Sequence, residues 1–214
     1  PLSVSNLRTD SPWHERYITA AKEQGYRILD DFNGAEQEGL GVYQVTHING
    51  ERCSAARAYL FPHLERPNLT IFTHASTQRI LIENNVAVGV EVKHGGQIKQ
   101  LRAHKEVLLS AGAMHSPQIL MLSGIGDEKE LLEHGLNVAH HLPGVGKNFH
   151  DHPDFIFSYT VSDIAGTFGV SLAGTIDLMK QISRYRKERR GMLSTNFAEC
   201  GGFLKSTPEK DIPN

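Results

Sequence analysis

A chain of 214 residues, 39% hydrophobic and 21% charged, is long enough to bury a substantial core and has the balance of a globular protein, not a disordered one. Its formal net charge of -2 supplies no overall attraction for nucleic acid. No apolar run approaches the ~20 residues that span a bilayer, so the expected partner is a small molecule. Cys53 and Cys200 are far apart and share no metal or redox spacing, and no targeting segment is evident, so a reducing, cytoplasmic location is expected.

Ser11 and Pro12 open a helix with an apolar stripe of Trp13, Tyr17, Ala20 and Ala21, and Gly25 closes it. From Asp30 to Arg52 the chain is rich in Gly, Asn and Asp. Short apolar pieces such as Val42-Tyr43-Gln44-Val45 give the pattern of loops with an edge strand or two. A short helix is expected over Arg57 to His63, ending at or after Pro62, with a turn at Arg66-Pro67-Asn68. Leu69 to Thr73 and Arg79 to Glu83 read as strands, Asn84-Asn85 as a turn into Val86 to Val92, and Gly95-Gly96 as a second turn before Ile98 to Leu101. The run Val107-Leu108-Leu109 inside Glu106 to Ser110 is the pattern of a strand buried on both faces. It feeds a small-residue turn at Gly112-Ala113 and a helix that Ser116 can cap, Pro117 can open and Gly124 can end. Asp127 with Glu130 makes a capping box for a helix closed by Gly135, and Leu142-Pro143-Gly144-Val145-Gly146 is a loop. Beyond Asp151 come a strand-like Phe155 to Tyr159, a long helix from about Ser171 to Arg190, and a Gly-rich turn region.

A strand-turn-helix invites a search for the G-x-G-x-x-G pyrophosphate cradle. The Gly-x-Gly pairs at Gly39, Gly124 and Gly144 have Gln44, Lys129 and Phe149 where the third glycine belongs, so the chain lacks that cradle. The 12 histidines include His140-His141 and His150-Asp151-His152, but no cysteine lies near them, and no metal site is expected. The helix end Arg184-Tyr185-Arg186-Lys187-Glu188-Arg189-Arg190 is basic, which complements the helix dipole on a solvated face. The sharper alternative adds Leu172, Ile176, Met179 and Ile182 to make a weak membrane-surface contact.

The run Gly112-Ala113-Met114-His115-Ser116-Pro117-Gln118-Ile119-Leu120-Met121-Leu122-Ser123-Gly124-Ile125-Gly126 resembles the second signature of the glucose-methanol-choline (GMC) flavoprotein oxidoreductases. That signature is a small pair, two free positions, Ser-Pro, an aliphatic pair, then Ser-Gly-aliphatic-Gly. Similar family blocks are Asp31-Phe32-Asn33-Gly34, Gly50 to Leu60, Arg66 to Leu69, and Leu142 to Asn148 with Asp151-His152. The resemblance covers nearly the whole chain.

The resemblance implies an α+β body from an α/β parent. Residues 48–150 would be an incomplete FAD-binding domain with a β-meander, and residues 1–47 and 151–214 substrate-domain segments. It implies a central fragment of an FAD-dependent alcohol dehydrogenase, acting on a choline-like or aliphatic alcohol. Hydride would pass from the CH–OH donor to flavin, and electrons on to a quinone, another carrier or O2. Residue by residue, the Thr77 main chain would meet the adenine of FAD, with Ala111, Gly112 and Ala113 beside the adenosine. Asp151-His152 would mark the passage out of the FAD-binding part. Glu199, in Asn196-Phe197-Ala198-Glu199 before Gly201-Gly202-Phe203, would border the substrate pocket and either stabilise a cationic substrate or pair with an arginine. The catalytic base is expected beyond Asn214 and the pyrophosphate site before Pro1, so the isolated chain is expected to be inactive. The competing readings are a non-catalytic truncated fragment or binding module unable to hold FAD alone, and a GMC oxidase. Strand edges without their parallel partners would favour oligomers, and a membrane-linked acceptor would place the protein at the periphery of the inner membrane.

Overall fold

The structure is a computed structural model that describes residues 1–160 and 172–213. It divides into two compact units, Pro1–Leu69 with Ser158–Asn214, and Thr70–Phe157. Helices and strands are mixed in both, in the α+β manner.

The first unit opens with β1 (Ser5–Asn6) and α1 (Pro12–Glu23). Ser11 Oγ accepts the Trp13 N–H at 3.3 Å and Gly25 closes the helix at φ 79°, as the start and stop signals require. Ala21 is buried and Trp13, Ile18 and Tyr17 are half-buried, while Ala20 faces solvent, so the apolar stripe takes Ile18 in place of Ala20. The stretch read as loops with an edge strand or two holds β2 (Gly39–Val42) and β3 (Gln44–Val45), with the Tyr43 N–H between them bonded to the Glu199 carbonyl. Then come β4 (His47–Ile48), β5 (Glu51–Arg52), a wide π turn over Ala56–Leu60 and a tight 3-10 turn over Phe61–His63. Pro62 cannot donate to a regular helical ladder there.

In the second unit β6 (Ser76–Glu83), β7 (Val86–His94) and β8 (Gln97–Arg102) form an antiparallel meander in that order. Both turns are set by local chemistry: Asn84, Asn85, Gly95 and Gly96 all have positive φ, the geometry of tight hairpins. Two strand expectations fail. Residues 69–73 and 106–110 form no strand, and Leu108 is 80% exposed instead of buried. An apolar run becomes a strand only where another strand takes its N–H and C=O groups, and among the described residues none pairs with either run.

Next follow α2 (Gly112–Leu122), β9 (Ile125–Gly126), α3 (Glu128–Glu133) and β10 (His140–His141), which lies parallel to β9. Asp127 Oδ1 accepts the Glu130 N–H at 3.1 Å, so the expected cap is present, but only half of the box. The Glu130 carboxylate turns instead to Lys147 Nζ at 2.7 Å. Ile80, Val92, Ile119, Leu131 and Val145 are this unit's buried apolar residues. Residues 155–159 also form no strand and leave Phe155, Ile156, Phe157 and Tyr159 exposed.

The chain returns to the first unit with α4 (Leu172–Glu188), inside the expected bounds, and β11 (Cys200–Phe203) antiparallel to β2. Ser171 and the Leu172 side chain lie outside the described residues. Phe32 packs on Tyr43 and Phe203 with ring centroids 5.2 and 5.7 Å apart, over a core of Ala21, Leu29, Val45 and Cys53. The basic end of α4 is largely engaged: Asp10 takes Arg184 and Arg190, each at 2.6 Å, and Glu51 takes Arg189 at 2.7 Å.

The hydrogen bond from Arg190, with the charges of Arg190 and Arg184, holds the Asp10 carboxyl below the usual carboxylate range against the opposing effect of burial. A depressed carboxyl stabilises the fold above its unfolded value, and that stability is lost as pH falls through the folded value. Thermal melts are therefore expected to show a Tm that drops on acidification below about pH 4, less steeply in Asp10→Asn. At neutral pH that variant should lose ~0.5 to 1 kcal/mol, because the pair is solvent-screened. An unchanged acid limb in the variant would assign the effect to other carboxylates.

Candidate functional site

Two clefts collect the residues singled out above, one in each unit.

The first lies where β6 meets α2. The helix begins at Gly112, a turn earlier than the Ser116-Pro117 signal implies. Gly112 has φ +88°, and the Ser116 hydroxyl reaches back to accept the Ala111 N–H at 3.0 Å. Ser116 thus closes the turn from inside the helix instead of standing at its cap. Pro117 falls within the helix and has no N–H, so the Ala113 carbonyl loses its ordinary helical donor.

The other end of α2 is fixed by a residue that the sequence reading treated only as part of the signature. Ser123 Oγ accepts the Ile80 N–H of β6 at 2.8 Å and donates to the Ile119 carbonyl at 2.5 Å. Among the described residues β6 has a strand on one side only. Strand alternation, counted through the extra residue Gln78 in the ladder, turns the Thr77 main chain toward the same open edge as Ile80. Ser123→Ala would leave the Ile80 N–H without its partner and is expected to cost ~1 to 2 kcal/mol in urea denaturation; a change near zero would mean that water replaces the hydroxyl.

Between this edge and the start of α2 is a cleft of about 440 Å³ lined by Thr77, Gln78, Ala111, His115 and Gln118 among others. Thr77 and Ala111, far apart in sequence, come together here. Gly112 and Ala113 follow directly at the helix start but are not among the lining residues. The lining holds hydroxyls, carboxamides and an imidazole, with no carboxylate, lysine or arginine. That donor set suits a flat, neutral, nitrogen-rich ring better than a phosphate, so it fits the adenine end of a dinucleotide and not its charged middle.

The second cleft, of about 910 Å³, lies in the first unit and is lined by Trp13, His14, Tyr17, Phe197 and Glu199, with Asp10, Asp177 and Arg184 nearby on the wall. Among the described residues the side-chain partner of Glu199 is His14, not an arginine. Glu199 Oε2 accepts from His14 Nε2 at 2.7 Å, and the two side chains are 16% and 20% exposed. A carboxylate only accepts, so the imidazole proton sits on Nε2. The partner was not legible because it stands 185 residues away, on α1. Burial, then the charge of Glu199, pushes the neighbouring Cys200 thiol up to about 11. Burial, with Cys200 and Tyr43 adding to it, raises the Tyr17 phenol. Both stay protonated at neutral pH.

Asp151 and His152 make a local contact: Asp151 Oδ1 accepts the His152 N–H at 2.8 Å, with both residues exposed.

Against known protein families, residues 1–154 match the GMC oxidoreductase family. The chain belongs to the GMC oxidoreductase family. Over 218 aligned residues covering all of the chain it is 42% identical to an alcohol dehydrogenase [acceptor] of Pseudomonas putida, and it spans 39% of that protein's length. It is 39% identical, again over its whole length, to the mitochondrial choline dehydrogenase of Homo sapiens, of which it spans 36%. Among solved structures it superposes on an FAD-dependent oxidoreductase of Chaetomium thermophilum with a TM-score of 0.85 at 27% identity, covering 95% of this chain and 36% of that one. This GMC chain thus spans under two fifths of the relatives it matches. Among its described residues no helix is long and apolar enough to cross a membrane. Its signature run is largely architectural: Ser116 closes a turn, Ser123 buckles α2 to β6, and Gly124 receives the 137–140 segment.

Proposed function

We propose that this chain supplies the adenosine-side support and part of the substrate wall of an FAD-dependent GMC dehydrogenase whose donor is a choline-like or aliphatic alcohol. One observation carries the reading: in a chain of this family, Thr77 and Ala111 meet at a neutral cleft beside the open edge of β6. Thr77 and Ala111 hold the adenine, and Gly112 and Ala113 let the chain turn closely past the adenosine. Residues 48–150 are the FAD-domain segment of an α/β parent, with substrate-domain segments on either side. FAD, when bound, supplies a hydride acceptor for a CH–OH donor. No residue of this chain is assigned as catalytic base, and the isolated chain is expected to oxidise no alcohol. The electrons leave to a quinone, another carrier or O2. Comparing an artificial acceptor with O2 in steady state, in the enzyme that carries this segment, separates dehydrogenase from oxidase. Two free thiols, Cys53 and Cys200, support a cytoplasmic location. The pairing of Arg184, Arg189 and Arg190 with carboxylates leaves little of the basic α4 end for contact with the inner membrane.

AMP tests the adenine assignment directly. The chain is expected to bind AMP saturably by equilibrium dialysis. Ala111→Trp, which fills the cleft, is expected to weaken binding at least about tenfold, ~1.4 kcal/mol, without lowering Tm. Equal binding by both proteins would place the nucleotide elsewhere.

A second reading, of an assembly segment that holds no FAD alone, draws on the exposed Leu108, Phe155, Ile156 and Phe157. Patches of this kind favour association. Light scattering across a concentration series is expected to show self-association, weakened by Leu108→Asp; a monomer at all concentrations would remove this reading.

A further inference from the structure

We propose that the first unit carries a binding site for a small organic carboxylate, built on the β4–β5 hairpin around Arg52 and His47. The site is separate from both clefts described above and does not rest on the FAD reading.

A cleft of about 620 Å³ is lined by residues of β3, of this hairpin, of α4 and of the 193–196 segment. His47 and Arg52 are cross-strand partners, so their side chains share one face with Cβ atoms ~4.5 to 5.5 Å apart. Both line the cleft. Strand alternation turns Glu51 to the other face, where its two oxygens take Arg57 at 2.8 Å and Arg189 at 2.7 Å. Arg52 is left without a counter-charge: among the described residues no ion pair involves it, and none of those lining the cleft is a carboxylate. The hairpin itself is held in place. Asn49 and Gly50 turn it at φ 51° and 73°, and the Tyr185 hydroxyl of α4 donates to the Gly50 carbonyl at 3.1 Å.

The balance of donors and acceptors points to the ligand. Three main-chain carbonyls of the lining are taken: Thr46 by the Cys53 N–H at 2.8 Å, His47 by the Ser5 hydroxyl at 3.3 Å, and Gly50 by Tyr185. The side-chain donors are not. Thr195 Oγ1 accepts the Phe197 N–H at 2.9 Å and so keeps its own proton to give. The Arg52 guanidinium, the His47 imidazole and the Asn196 carboxamide have no partner among the described residues. A concave surface with its donors open and its acceptors filled suits a ligand that only accepts. Arg52 is the one permanent cation among the lining residues, which matches a single negative charge. Its planar fork fits a carboxylate with two parallel N–H···O bonds, and the cleft leaves room for an organic body behind it.

Sodium propionate, titrated into the full chain at constant ionic strength and followed by amide NMR, tests the site. Saturable shifts are expected at residues 46–52 and 194–196, while propionamide, the neutral isostere, leaves these amides unmoved. Arg52→Gln keeps a donor but removes the charge, and is expected to weaken propionate binding at least about tenfold. Asn196→Asp brings a carboxylate into the lining and is expected to weaken binding by a similar factor, through repulsion and by occupying Arg52. Being isosteric and at an exposed position, it serves as the second arm should R52Q melt early. Wild-type affinity in either folded variant overturns the inference. So does the absence of a saturable shift, equal binding of propionamide, or shifts spread over the basic surface instead of collected at the hairpin. Inorganic phosphate is the competing oxyanion, and tighter binding of phosphate than of propionate overturns the assignment to a carboxylate. AMP binding is expected to be unchanged in R52Q, so failure of this site and failure of the adenine reading are separate results.

Discussion

Gly124→Val is expected to destabilise the unit Thr70–Phe157 by about 3 kcal/mol, a large share of the ~5 to 15 kcal/mol that holds a domain together. Gly124 has φ +80°, and a Cβ there would lie 2.4 Å from the Asn137 carbonyl oxygen and 2.9 Å from the Ala139 nitrogen. A β-branched residue in this conformation costs ~1 to 2 kcal/mol by itself. Relieving the overlap also pulls the Ala139 and His140 N–H groups off the Gly124 carbonyl, where they sit at 2.8 and 3.0 Å, and each such bond contributes about 1 kcal/mol. Amide exchange at Ala139 and His140 is the readout, expected to accelerate by more than about a hundredfold. Gly135 is the control: it also ends a helix at positive φ, +69°, but nothing stands within 4 Å of its Cβ position. Gly135→Ala is therefore expected to cost only ~1 kcal/mol and to leave those two amides slow. Similar losses in both variants would show that backbone strain, not the close approach of residues 137–140, is why position 124 of the signature is glycine.

Leu131→Ala is expected to cost ~2 to 5 kcal/mol in urea denaturation, the range for emptying a filled core position. Leu131 is 1% exposed and sits beside Gly126, with its Cδ2 3.5 Å from that residue's Cβ position and Met121 Cγ on the same side at 3.2 Å. The contact joins α3 to the end of the signature run, so a cavity there loosens α2 as well. Its neighbour Leu132 is 58% exposed, and Leu132→Ala is expected to stay within about 0.5 kcal/mol. A small effect at Leu131 would mean that Met121, a flexible side chain, collapses into the space.

What was legible in the sequence was what neighbours along the chain decide. Ser11 and Asp127 cap helices because an N-cap acts on an N–H two or three residues away. Asn84-Asn85 and Gly95-Gly96 turn because those residues tolerate positive φ. The runs at 69–73, 106–110 and 155–159 failed for the complementary reason: apolar, β-prone residues state a preference, but a ladder needs a second strand. Ser116 shows a finer limit. It was recognised as a helix-start residue, yet its hydroxyl serves Ala111 from within the helix, because the left-handed Gly112 lets the helix begin a turn earlier.

The sequence by itself determined the family, through a run of constrained residues from Gly112 to Gly126 and similar blocks along the chain, and it determined the turns and caps, because these depend on covalent neighbours. Only the tertiary structure decided that Ser123 holds β6, that Thr77 and Ala111 share a cleft, and that the partner of Glu199 is His14 and not an arginine. Each of these depends on two segments distant in sequence meeting within hydrogen-bond or van der Waals range. That meeting is set by the packing of α2 on β6 and of the Phe197–Phe203 stretch beside α1 and β2, where no local pattern of residues records which donor will face which acceptor.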